Sequence, residues 1–268
     1  CVKMSELEGN VHLALKTILS QLKFSQNVEI SLNRGREKVH GYLGNIVSII
    51  VKDNSDSRNL NLVAKISIKN DKIRSGIPVA EAYGNEIHFY ENILPTLEEL
   101  QKTLGLPEPF SSVPKCYICC GEKNKEFLIM EDLKASNFEM FNSKSTMDFD
   151  HMKIIFQNYA KFHSLAFALK VKDKEKYSKL TRRLYSMYMG FIDCNFGSKL
   201  PECFQFIQMC LNQRGEENRI VNKYATGVDE VLRDILLKQN ELHSCILHGD
   251  CWSNNFMFKY RVRIVNII

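Results

Sequence analysis

The sequence predicts an α+β chain of two lobes, β-rich toward its N-terminus and mainly helical beyond. Three patterns carry that prediction. Strand-like runs fill residues 28–68, one helical pattern interrupts them after Pro78, and residues 145–239 read as mainly helical before short β-rich pieces return. In chain order, Leu7, Val11, Leu15, Ile18 and Leu22 stand at helical spacing and predict an amphipathic N-terminal helix. Val28, Ile30 and Leu32 alternate, Ile46-Val47-Ser48-Ile49-Ile50-Val51 reads as a buried strand, Asp53–Asn61 is a polar turn and Leu62–Ile68 is β-rich. Together they predict a three-stranded meander.

Pro78 opens a helix expected to reach about Leu94, where Pro95 stops it. Pro107, Pro109 and Pro114 mark a loop, and Cys116–Ile118 and Phe127–Met130 read as a strand pair around a turn at Gly121. Ser145 and Asp148 have capping-box spacing ahead of the stripe Ile155, Tyr159, Phe162, Ala166 and Leu169. A second stripe joins Val221, Tyr224, Val228, Leu232 and Ile235, and Cys245–Leu247, Phe256–Phe258 and Val262–Ile268 read as short β-rich pieces. The lobes divide at residues 1–133 and 134–268.

Composition narrows the class. With 268 residues, 44% hydrophobic and 25% charged, the chain has the make-up of an ordinary globular protein. No apolar run nears the roughly 20 residues that span a bilayer, and Cys1–Met4 lacks the apolar core of a signal peptide. The start at Cys1 is expected of a fragment or a processed chain. A net charge of +5 is spread out, as at Lys170, Lys172, Lys174 and Lys176, without interleaved aromatics, so no nucleic-acid partner is expected. Cys116, Cys119 and Cys120 resemble half a zinc site, but Cys194, Cys203 and Cys210 supply no second tight pair. Nine cysteines without a framework suit idle thiols in a reducing cytoplasm. Nothing in the sequence sets oligomeric state.

The residues with chemistry fall in a definite order. Gly41 and Gly44, between the first two strands, would let backbone amides approach phosphate oxygens. Lys65 lies inside an apolar strand, where an ammonium needs a partner. Glu86 lies on the inward stripe of Ala82, Phe89 and Ile93 and is equally out of place, so each resolves the other's anomaly. In His248-Gly249-Asp250-Cys251-Trp252-Ser253-Asn254-Asn255, Asp250 can accept a hydroxyl proton and Asn255, five residues on, offers a hard amide oxygen to magnesium. A kinase catalytic loop uses the same spacing. His248 is expected to brace this loop, and His163 is read as a structural helix histidine.

These residues, with Glu131-Asp132-Leu133, Ala160-Lys161-Phe162-His163 and Met257-Phe258-Lys259-Tyr260, resemble the insect ecdysteroid kinase-like family, in the choline-kinase and aminoglycoside-phosphotransferase branch of the protein-kinase-like fold. The similarity runs from about residue 30 to the end, and Phe89–Pro95 and Trp252–Tyr260 are especially alike. The resemblance implies a two-lobe protein-kinase-like fold that uses ATP and magnesium. It implies Lys65 on the α and β phosphates, Glu86 fixing it, Glu131, Asp132 and Leu133 as the hinge beside adenine, Asp250 as base and Asn255 as a magnesium ligand. Two departures stand out. Asn266 occupies the place of the family's principal metal-binding Asp, with neither Phe nor Gln after it, and Cys251 replaces an aliphatic residue. Ile268 follows Asn255 by thirteen residues, so a chain cut short of further helices is expected. Three readings stay open: an ATP-dependent kinase of a small-molecule alcohol such as an ecdysteroid or a xenobiotic, a nucleotide-binding module without turnover, and a degenerate truncated product.

Overall fold

The alternating runs form three antiparallel strands, β1 (Val28–Asn33), β2 (Gly44–Asp53) and β3 (Asn59–Ser67). The computed structural model describes residues 9–33, 43–141, 145–193, 242–261 and 264–267, with positions 206, 207, 209, 219, 221 and 234 besides. β4 (Cys116–Cys120) and β5 (Phe127–Glu131) extend the sheet to five strands in the order β1-β2-β3-β5-β4. Burial alternates along β2 from Val47 through Ile49 and Val51, so the strand expected to be buried is half-buried. Its buried face joins Leu62, Ala64, Ile66, Phe127 and Ile129 beneath Val11, Leu15 and Ile18 of α1 (Gly9–Gln21). Each large aliphatic side chain withdrawn there contributes about 1.5–3 kcal/mol. At the β2–β3 turn, Asp53 accepts from the Ser25 amide and hydroxyl at 2.7 Å each and stands 3.7 Å from Arg58.

The helix expected to stop at Pro95 continues. α3 (Val79–His88) passes through a π turn at Phe89–Ile93 into α4 (Leu94–Leu104), with Pro95 in the first turn of α4. Proline cannot donate to a carbonyl four residues back, and its ring crowds that carbonyl. The wider π turn just before it accommodates the interruption, and the helix ends at Gly105 in the left-handed conformation (φ 61°). Ile93 and Leu97 pack with Phe162, Leu165, Ala166 and Leu169 of α5 (Phe149–Lys172) and with Tyr177 and Leu180 of α6 (Lys174–Thr181). The buried His88 ring meets the Leu180 carbonyl at 2.9 Å through Nε2.

Asp148 itself caps α5, accepting from the His151 amide at 3.0 Å, where the capping-box reading had placed Ser145 first. The His151 ring links Asp148 (2.6 Å) to the Tyr260 hydroxyl (2.9 Å). Tyr260 lies on β7 (Met257–Arg261), which pairs with β6 (Glu139–Met140) and β8 (Ile264–Ile267). Cys245–Leu247 is not a strand, although Ile246 is buried in the α4–α5 core. The stripe from Val221 to Ile235 lies outside the described residues except at Val221.

Two compact units emerge. One comprises Cys1–Lys69, Tyr83–Leu184 and Cys245–Ile268, and contains the elements from which the candidate site is built. The other comprises Asn70–Ala82 and Tyr185–Ser244; it includes α2 (Asp71–Arg74) and α7 (Met187–Asp193). Within it Gly190 lies so close to Pro78 and Tyr185 that a Cβ would come 2.8 Å from each.

Candidate active site

Strand alternation decides where Lys65 points. Leu62, Ala64 and Ile66 enter the core under α1, so Lys65 leaves β3 on the other face. There its Nζ donates to Glu86 Oε2 at 2.5 Å, with both side chains 28% exposed. An ion pair with that much exposure keeps its charges without the full cost of burial. Tyr83, one turn before Glu86, sets its ring 5.5 Å from the Lys65 ammonium. A Cβ on Gly44 would come within 2.3 Å of both the Tyr83 hydroxyl and the Ile66 carbonyl oxygen. Gly44 is thus demanded by close packing over Tyr83. Gly41 lies outside the described residues.

The loop from His248 to Asn255 is built on internal hydrogen bonds. Gly249 takes φ 84°, which glycine adopts without strain. The Asp250 amide donates to His248 Nδ1 at 3.2 Å, which places the proton of the neutral ring on Nε2. Asn255 Nδ2 donates both to the Asp250 carbonyl at 2.8 Å and to Asp250 Oδ2 at 2.7 Å. A 3-10 turn at Ser253–Asn255 returns the chain to β7, anchored by the buried Phe256 and Phe258 against Ile155. The loop is exposed at Asp250, so its carboxylate is open to a solute while Asn255 fixes its orientation.

Protein crowds the His248 ring enough to lower its pKa. Desolvation is the main cause; the charges of Asp250 and Glu86 oppose the shift and that of Lys65 adds to it. The same influences bring the ion pair and the loop into one electrostatic neighbourhood. Tyr159 of α5 stands edge-on to His248 at 6.3 Å. Burial, the neighbouring Cys251 thiol and the charge of Asp250 push the Tyr159 pKa up, so the phenol stays protonated beneath the loop. Sequence reasoning placed Tyr159 on a packing stripe and passed over Tyr83. Their signals were weak: one tyrosine on an apolar face and one a turn from Glu86.

The three residues expected at the hinge, Glu131, Asp132 and Leu133, carry structural bonds of their own. The Glu131 amide donates to the Lys115 carbonyl at 2.9 Å, and its carboxylate accepts from the Lys115 amide at 2.8 Å. The Asp132 amide donates to Asn61 at 3.0 Å, while its carboxylate caps the 3-10 turn Leu133–Ser136 through the Lys134 amide. Leu133 is buried. The side chains of Glu131 and Asp132 therefore shape the segment.

Among the described residues no three His, Cys, Asp or Glu side chains gather into a group able to hold a metal. Asn255 turns its amide nitrogen to Asp250, so its oxygen is what it can offer a cation. Asn266 lies on β8 with its backbone paired to Lys259. The single neutral amide oxygen of Asn255 fits a magnesium ion that is carried mainly by phosphate oxygens, the usual habit of that ion beside nucleotides.

A five-stranded antiparallel sheet with a Lys–Glu ion pair, followed by helices and an Asp–Asn loop, defines a kinase-like fold. The chain belongs to the ecdysteroid kinase-like family, whose model matches residues 38–266. The family is kinase-like, and that kinship supports phosphoryl transfer to small molecules and the use of ATP. No curated protein and no solved structure shows significant similarity to the chain. No helix among the described residues is long and apolar enough to cross a membrane.

Proposed function

We propose that the protein is an ATP-dependent phosphotransferase that moves the γ-phosphoryl group to the hydroxyl of a small-molecule alcohol, an ecdysteroid-like or xenobiotic acceptor. The observation that carries this reading is the Asp250–Asn255 pair, in which one amide group donates one hydrogen bond to the Asp250 carboxylate and one to its backbone carbonyl. Asp250 is the general base: it accepts the acceptor's hydroxyl proton as the oxygen attacks phosphorus in line. Lys65 neutralises phosphate charge, held in place by Glu86. Gly41 and Gly44 belong to the phosphate cover, and Glu131, Asp132 and Leu133 to the adenine side. Asn255, with Asn266 as a second donor, would hold magnesium, which neutralises phosphate charge when bound. The two lobes of the reaction are residues 1–133 and 134–268, and the free thiols suit a cytoplasmic setting.

The test is phosphate transfer from ATP to a panel of sterol and amino-alcohol acceptors, comparing the native chain with Asp250→Asn. A large loss of turnover in the variant supports the role given to Asp250; equal turnover removes it. The neutrality of Asn255 and Asn266 favours a second reading, a nucleotide-binding module without turnover. Thermal stabilisation by ATP that is indifferent to magnesium, with no transfer to any acceptor, would select it.

A further inference from the structure

β4 carries a bulge that brings two thiols to one face. Cys116 pairs with Met130 and Cys119 with Leu128, while the register shifts between Cys116 and Ile118. In a regular strand, residues three apart point to opposite faces; the extra residue makes these two equivalent to neighbours two apart. Tyr117, Ile118 and Cys120 pack against the α1 core. Cys119 instead places its sulfur 3.2 Å from Glu91 Oε1 on the π turn. The neighbouring Cys119 thiol lowers the Cys116 pKa, and Cys116, burial and Glu91 raise that of Cys119. Both residues are partly accessible to solvent.

We propose that Cys116 and Cys119 form a reversible redox pair, oxidised by hydroperoxides to a disulfide on the face of β4 opposite the α1 core. The Cys116 thiolate attacks a peroxide oxygen and the O–O bond breaks, giving a sulfenic acid and, from hydrogen peroxide, water once the leaving hydroxide is protonated. The Cys119 sulfur then attacks the Cys116 sulfur, the S–O bond breaks, and a second water leaves with the Cys119 proton. The two thiols lose two electrons and the peroxide gains them. Glu91, already against Cys119, is placed to take that proton from the thiol and pass it to the departing hydroxide. Cα atoms two pleats apart are about 6.8 Å distant, at the upper end of what a disulfide spans, about 4.4–6.8 Å. Among the described residues β4 ends the sheet order and pairs along one edge, so it can draw inward without breaking a second described ladder. A disulfide closed at that limit is expected to be reduced readily, as a regulatory pair in a reducing compartment must be.

The folded chain, treated with stoichiometric hydrogen peroxide, alkylated and cut with trypsin, yields the peptide Cys116–Lys123, which holds Cys116, Cys119 and Cys120. The expected result is loss of two hydrogens with the link mapped to Cys116 and Cys119, Cys120 alkylated, and full reversal by dithiothreitol. Cys120→Ser retains the effect, and Cys119→Ser leaves Cys116 as a sulfenic acid that dimedone traps. A link through Cys120, a link to a cysteine outside this peptide, or a peptide with all three thiols alkylated overturns the proposal.

Discussion

At the scale of single residues, the site turns on three contacts of under 3 Å: Lys65 to Glu86, and Asn255 to the backbone and the side chain of Asp250. Losing the Asp250 carboxylate while keeping its shape, as in Asp250→Asn, is expected to lower turnover by about 10²–10⁴-fold. The same substitution should leave ATP binding largely intact, which a nucleotide titration followed by thermal shift checks. Asp53 offers a prediction far from the site. Its bonds from Ser25 hold its pKa down to about 2 from 3.8. A depressed carboxylate stabilises the fold above its unfolded pKa, so this contribution is complete near neutrality and is lost as pH falls from about 3.8 through about 2. Acid titration of the melting temperature should show Asp53→Asn losing stability at neutral pH and converging on the native chain near the bottom of that window. Curves that stay parallel throughout would contradict it.

The Lys65–Glu86 contact was legible in the sequence because two misplaced charges, each costly alone, point to one another. The work of Gly44 was not legible. Its crowding by Tyr83 and Ile66 is a contact across long sequence separation, and the sequence presents the residue only as a candidate for the phosphate cover.

At the scale of elements, alternation located β1, while β2 and β3 were legible from their apolar, β-rich composition; the one-sided burial of both appears only in the sheet. Sequence pattern failed where the tertiary setting overrides a local signal. Pro95 reads as a stop, yet the π turn ahead of it lets the helix continue into a buried face at Leu97. Cys245–Leu247 has strand composition but buries Ile246 among helices, and β6 has only two residues, too few for a pattern. Gly44→Ala in β2 is expected to cost about 1–3 kcal/mol, because backbone at Ile66 must move as well as Tyr83. A clear fall in melting temperature is the expected result, and an unchanged one would show that the strand gives way freely. The Asp148–His151–Tyr260 chain fastens α5 to β7, the strand that follows the Asp–Asn loop. Tyr260→Phe should remove about 0.5–1.5 kcal/mol of stability, measurable by denaturant unfolding, while preserving the ring packing on Phe258.

For the whole molecule, the family match over residues 38–266 and the sheet-then-helix order agree with the α+β, kinase-like fold expected from the sequence. The order of chemistry-bearing residues made the fold readable, since Lys65, Glu86, Asp250 and Asn255 occur in the sequence a two-lobed kinase requires. The acceptor was not readable, because specificity for an alcohol resides in pocket shape, which no short motif encodes. If nucleotide binds the folded chain alone, ATP at about 100 times its Kd should add about 2.7 kcal/mol to stability. Differential scanning with ATP and magnesium should then raise the melting temperature, and Lys65→Met should remove most of the rise.

The most direct measurement is single-turnover transfer of labelled γ-phosphate from ATP to an alcohol acceptor by the native chain and by Asp250→Asn. Labelled phosphoester from the native chain, with the rate reduced at least about 100-fold in the variant, is the expected result. Equal rates in the two, or no phosphoester from the native chain with any acceptor despite ATP binding, would contradict it.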